Sequence, residues 1–148
     1  IKKYFNSKIP KPGKYSDVDL ELIEKIKKIP TEVNLSYSTM KVNEALEKIS
    51  SIIRSLNKFL EVKAPWKSIK ENPNQEGDAA TTLYVCVDIL RISAQLLHPI
   101  MPSKTNLILG SIGMNASSNS LSFGKIKNGT KLNDNIGVLF PKIEQEEL

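Results

Sequence analysis

The chain has 148 residues, 40% hydrophobic and 25% charged, with one Cys, one His and a formal net charge of +5. That suits one domain with a sizeable core, and it excludes an internal disulfide and a four-ligand Cys/His zinc site. Charge is lopsided: residues 1–70 hold 15 Lys/Arg against 8 Asp/Glu, whereas residues 71–148 hold 6 against 8. A basic excess confined to one half fits a surface that meets a polyanion, although solvated lysine-rich helix faces account for it too.

No apolar run approaches the roughly 18 residues of a membrane span, and the opening Ile1-Lys2-Lys3-Tyr4-Phe5 lacks the apolar stretch of a signal peptide. Residues 1–6 read as the end of a helix, and a start at Ile rather than Met is expected of a piece of a longer protein. Pro10, Pro12 and Gly13 make residues 7–15 an irregular linker. Ser16 with Asp19 forms a capping pair, opening a helix that carries Leu20, Leu22, Ile23, Ile26 and Ile29 and that Pro30 closes.

The strongest periodicity comes next. Val42, Ala45, Leu46, Ile49, Ile52, Ile53, Leu56, Phe59 and Leu60 predict a helix from near Ser38 or Thr39 to about Lys63. It would be roughly 37 Å long at about 1.5 Å per residue. Ala64-Pro65 breaks it. Residues 67–77, with Asn72-Pro73-Asn74 and Gly77, read as a polar connector. Asp78 is expected to cap the following helix, whose stripe is Ala80, Leu83, Val87, Leu90, Ala94 and Leu97 and which stops at His98-Pro99.

A short helix follows Pro102 up to Gly110. Residues 111–135, rich in Gly, Ser and Asn, read as loop, with Asn128-Gly129 placed for one tight hairpin between residues 125–127 and 130–132. The pattern is all-α: an antiparallel bundle of three or four helices over residues 1–110, and a loop-rich extension of the same domain over 111–148.

Chemistry concentrates at the break. The only tryptophan, Trp66, sits on a turn with Lys58, Lys63, Lys67 and Lys70 close by in sequence. An aromatic plane among cations at a helix end is a place for an unstacked nucleobase to land; a core filler is the alternative, against which Pro65 places the turn at the surface. Elsewhere the readings are structural. His98 caps carbonyls or packs, and Cys86 is a small buried hydrophobe. Arg91 pairs with an acid on a neighbouring helix or reaches a phosphate. Asp78, Asp88, Glu44 and Glu47 lie on solvated faces. The Asn115-Ala116-Ser117 and Asn128-Gly129-Thr130 sequons are loop chemistry. No residue set qualifies as catalytic or metal-ligating.

Several segments carry a family likeness. Asn57 with Ala64-Pro65-Trp66, Arg91 with Leu97-His98-Pro99-Ile100-Met101-Pro102, and Leu139-Phe140-Pro141-Lys142-Ile143-Glu144 follow one another in the order found in methionyl-tRNA synthetases. The chain resembles the C-terminal helical anticodon-binding region of that class I family, and Lys3-Tyr4-Phe5-Asn6-Ser7-Lys8-Ile9-Pro10-Lys11-Pro12-Gly13 resembles its helix-to-linker passage. The resemblance implies that Trp66 stacks on a base of the CAU anticodon and that Pro65 shapes the platform; Asn57, at a position matching the family, joins them as an anticodon-binding candidate and is read as supporting the helix end. It further implies an Asn and an Arg contact on a helix before Lys3-Tyr4-Phe5, assigned to no residue here.

The family's His-x-Gly-His and Lys-Met-Ser-Lys-Ser signatures are absent, since one His is present and no Met precedes Ser. The expectation is therefore a tRNA-binding part that takes no cofactor itself, working with the ATP-using catalytic domain of the same longer chain, in the cytoplasm and away from membranes. Lys58, Lys63, Lys67 and Lys70 would meet the tRNA backbone. A protein–protein bundle with a basic face, or the anticodon domain of a related class I synthetase, are the competing expectations.

Overall fold

The Ser16–Asp19 capping pair is present in the computed structural model, which describes residues 1–71, 76–116, 120–133 and 135–141. The Ser16 side chain accepts from the Asp19 amide at 3.4 Å, and the Asp19 carboxylate takes the Ser16 amide at 2.7 Å. Helix α1 (Asp17–Lys27) starts there, with Asp17 and Asp19 at its positive end and Lys25 and Lys27 at its negative end. The helix stops at Lys27, short of the expected Pro30, and Ile29 belongs to a second helix, α2 (Ile29–Ser38). Lacking an N–H, Pro30 fits the first turn of α2 and does not break it. The expectation of no helix between Pro30 and Ser38 is thus corrected: Val33 and Ser36 are buried, a stripe too short to register as periodic.

Helix α3 (Val42–Lys63) runs about 33 Å at ~1.5 Å per residue and buries Ala45, Ile49, Ile52, Leu56 and Phe59, the predicted face. The expected connector after Trp66 is instead largely helical, forming α4 (Pro65–Glu71). Asn72-Pro73-Asn74 lies outside the described residues. Asp78 does not cap the next helix, because α5 (Glu76–Leu97) already includes it in its first turn. Helix α6 (Pro102–Ser111) matches the expected short helix. Six helices rather than three or four lie among the described residues.

α5 is the central element. Val85, Cys86, Ile89, Ile92 and Leu96 join a core with Leu22, Ile23 and Ile26 of α1, Val33 of α2 and the buried face of α3. Its Tyr84, Val87 and Ala94 join a second core with Ile9, Leu109, Ile112 and Ile126. Of the expected stripe, Ala80, Val87 and Ala94 are buried but Leu90 is exposed, and the helix, apolar nearly all round, packs on two sides instead. Gly77–Leu97 is long and apolar enough to cross a membrane by length and composition, but 78% of that window is buried within the fold. Lys63 at the end of α3 meets Asp78 at the start of α5, and Tyr37 at the end of α2 donates to the Leu96 carbonyl near the end of α5. α3 and α5 are therefore antiparallel.

Asp88 is no solvated residue. Both it and Arg91 are fully buried within α5, where Nε of Arg91 donates to Oδ1 of Asp88 at 2.6 Å. The guanidinium also donates to the Ser120 and Ser122 carbonyls and to Gln95, while the second Asp88 oxygen accepts the Gly124 amide. Arg91 thus pairs with an acid on its own helix, and together the two hold the C-terminal segment. That segment forms no hairpin with residues 125–127. The turn at Asn128-Gly129 exists, with Gly129 at φ 76°, but the segment after it pairs with the N-terminal linker. Ile9 donates to Thr130, Gly129 to Ile9 and Leu132 to Ser7, around an antiparallel Lys8–Lys131 bridge. Burial of both Ile9 and Ile126 selects this distant partner over the adjacent one.

Candidate nucleic-acid interface

The geometry of the break follows from proline. The Pro ring disfavours the right-handed helical region for the residue before it, so a helix meeting Ala64-Pro65 must turn out at Ala64. Ala64 adopts the left-handed conformation, φ 35° and ψ 57°, while its N–H still bonds to the Leu60 carbonyl at 2.9 Å. Its own carbonyl accepts from the Lys67 amide at 2.8 Å and the Ser68 amide at 3.3 Å. One residue therefore closes α3 and opens α4, with Pro65 at the first position of the new helix.

Pro65 is buried and Trp66 beside it is 45% exposed. Trp66 is therefore not sealed beneath neighbouring helices but partly open to water on the first turn of α4. Lys67 and Lys70 are exposed on the same short helix, and Asn57 and Lys58 are exposed on α3, about two turns before the break. Lys63 differs. Its side chain is only 10% exposed and its ammonium lies against Asp78, Ser16 and Asp19. Sequence proximity had grouped it with the other lysines, whereas the fold turns it inward. Its partners were invisible from sequence, since Ser16 and Asp19 lie more than 40 positions away.

Other candidates resolve as structural. His98 Nδ1 lies 2.9 Å from Thr105 Oγ1, and that hydroxyl also reaches the Met101 and Pro102 carbonyls. The residue joins the end of α5 to α6. Cys86 is buried, and desolvation, aided by the Asp19 carboxylate, pushes its thiol up to about 12. Burial likewise raises Tyr15, Tyr37 and Tyr84. Phe140 of the Leu139-Phe140-Pro141 segment is exposed, with the Lys104 ammonium 5.9 Å from its ring centre, and Lys142-Ile143-Glu144 lies outside the described residues. Among the described residues no three His, Cys, Asp or Glu side chains converge on a metal position. The break can offer a flat π-face, point cations and an amide.

Fold and site together define an all-α bundle that presents an aromatic surface among exposed cations at a helix break. The family model for the anticodon binding domain of methionyl tRNA ligase matches residues 9–148. Methionine–tRNA ligase of Sulfolobus acidocaldarius is 33% identical over 156 aligned positions, covering 100% of this chain and 27% of that protein. The mitochondrial methionine–tRNA ligase of Bos taurus is 30% identical over 143, covering 90% of this chain and 24% of that protein. Apo methionyl-tRNA synthetase of Mycobacterium tuberculosis superposes with a TM-score of 0.89 at 26% identity, over 98% of this chain and 30% of that one. The same enzyme bound by methionyl-adenylate gives 0.86 at 27% identity, over 95% and 28%. The chain belongs to the family of methionyl-tRNA ligase anticodon-binding domains, and it spans about a quarter of the length of the curated relatives it matches.

Proposed function

We propose that this chain receives the CAU anticodon of methionine tRNAs at the α3–α4 break, as the RNA-reading part of a longer methionine–tRNA ligase whose catalytic domain uses ATP. The observation that carries the reading is the half-exposed Trp66, held on a turn by the buried Pro65, in a chain of this family. An unstacked anticodon base lies against the indole, Asn57 offers its amide from the exposed face of α3, and Lys58, Lys67 and Lys70 face phosphates. Lys63, already engaged by carboxylates, takes no part in backbone contact. A reducing cytoplasm is the compartment we propose, in keeping with a single buried thiol.

Stacking accepts any base because every base has a π-face, so discrimination requires hydrogen bonds to base edges. This chain on its own should therefore bind CAU and other anticodon stem-loops with comparable affinity. Trp66 is the sole tryptophan, so its fluorescence reports directly on the site. Titration with a methionine anticodon stem-loop is expected to quench that emission, and stem-loops with other anticodons should quench it at similar concentrations. Unchanged emission at saturating RNA, or binding to acidic proteins in place of RNA, would remove the reading.

A further inference from the structure

An ammonium group has three N–H donors and no acceptor, so a buried lysine is satisfied only where three acceptors converge. Lys63 Nζ has two hydrogen-bond acceptors and, as a third, a carboxylate oxygen at ion-pair distance. Asp78 Oδ1 lies at 2.7 Å, Ser16 Oγ at 3.2 Å and Asp19 Oδ1 at 3.5 Å. These atoms belong to the first turn of α5, the residue that caps α1, and the first turn of α1. Asp19 is fully buried; its Oδ2 serves the capping box and its Oδ1 has no hydrogen bond of its own, facing the Lys63 charge instead. Were Lys63 to swing out to a phosphate, Asp19 would be left buried without that counter-charge.

The position of this cluster in the chain gives it a consequence. Lys63 is the last residue of α3 and immediately precedes Ala64, whose left-handed dihedrals set the direction in which Pro65 and Trp66 leave. Helix ends fray unless something holds them. We propose that Lys63 is a positioning residue for Trp66: by clamping the last turn of α3 to the starts of α1 and α5, it fixes the exit at Ala64 and hence how the indole is presented to a nucleobase. The ligand in this statement rests on the RNA reading above; the clamp itself does not.

The full 148-residue chain serves for the test, with Trp66 anisotropy and acrylamide quenching as RNA-free readouts. Lys63→Met alone strands the Asp19 charge, so it is combined with Asp19→Asn, which keeps an oxygen to accept the capping bonds. Asp78→Ala cuts one leg of the clamp at a half-exposed position and provides a milder variant. Both are expected to retain helicity by circular dichroism while Trp66 anisotropy falls and quenching rises. Stem-loop affinity should drop by about tenfold in the double variant, within the range of a lost aromatic stack. Lys63→Arg, which retains charge and donors, should recover much of the anisotropy. Folded variants whose Trp66 signals match the parent chain would overturn the clamp. Altered Trp66 signals with undiminished RNA affinity would leave the clamp standing and count against the nucleobase reading instead.

Discussion

Trp66 and Cys86 show how two chemically conspicuous side chains diverge with burial. Half-exposed Trp66 can exchange water for a flat ring, and such a stack is worth about 1–3 kcal/mol. Trp66→Ala should weaken stem-loop binding by that amount with little change in helicity, measured by titration calorimetry beside circular dichroism. A cooperative loss of helix would instead make the indole part of the core. Cys86 behaves oppositely. Its folded value of about 12 lies above the 9.0 of an unburied thiol, so the unfolded chain loses its proton first. The contribution to stability is intact below pH 9 and declines as pH rises from there toward 12. The raised Tyr15, Tyr37 and Tyr84 act in the same direction at higher pH. Urea midpoints measured across this range should fall, and fall less in Cys86→Ala. At pH 8 thiol reagents should label the native chain only at its rate of opening.

Between elements, the decisive interactions are polar groups enclosed by apolar helices. The Asp88–Arg91 pair sits within α5 with no exposure, and its remaining valences hold the backbone of residues 120–124. Its worth lies less in the pair itself than in what removing one half leaves behind. Arg91→Met strands a buried carboxylate and releases two carbonyls, so unfolding free energy should fall by about 3–5 kcal/mol in urea titration. Amide exchange at Gly124 should quicken more than that of α3, because the loss begins where the segment is pinned. A mild effect confined to a few tenths of a kcal/mol would mean that water fills the gap. Helix α4 depends on a different device, a proline that forbids one helix and starts another within a single residue.

Across the whole molecule, charge and apolar surface are partitioned. The two cores take α5 from both sides, while the basic excess of residues 1–70 remains largely on exposed faces. At the break, Lys58, Lys67 and Lys70 are exposed while Lys63 is internally neutralised. Each phosphate neutralised on a single strand contributes roughly −0.7 to the slope of log affinity against log salt, so three contacts predict a slope of about −2. Replacing Lys63 conservatively by Arg should leave that slope unchanged, whereas Lys67→Gln or Lys70→Gln should each make it shallower by about 0.7. A slope near zero would exclude phosphate contact at this end of the bundle.

Much of the site was legible in the chain because its determinants are local. The 3.6-residue recurrence from Ala45 to Phe59, the Ser16–Asp19 capping pair, and the Ala64-Pro65 sequence that ends α3 and exposes Trp66 each act within a few residues. The helical class and the place of the aromatic follow from these alone. Short helices were not legible: α2 and α4 offer too few turns for a stripe to stand out, and packing on α3 and α5 makes up for weak intrinsic preference. Long-range polar partners were not legible either. Lys63 looks like its neighbouring lysines until Ser16 and Asp19 are brought against it, and Asp88 looks solvated until α5 is enclosed on both sides. The pairing of residues 129–132 with residues 7–9 in place of a local hairpin has the same origin, since two distant isoleucines gain more by burial together than an isolated two-stranded turn gains by hydrogen bonding in water. Local stereochemistry determined where the chain turns and what it displays there; only the folded enclosure decided which charges face outward.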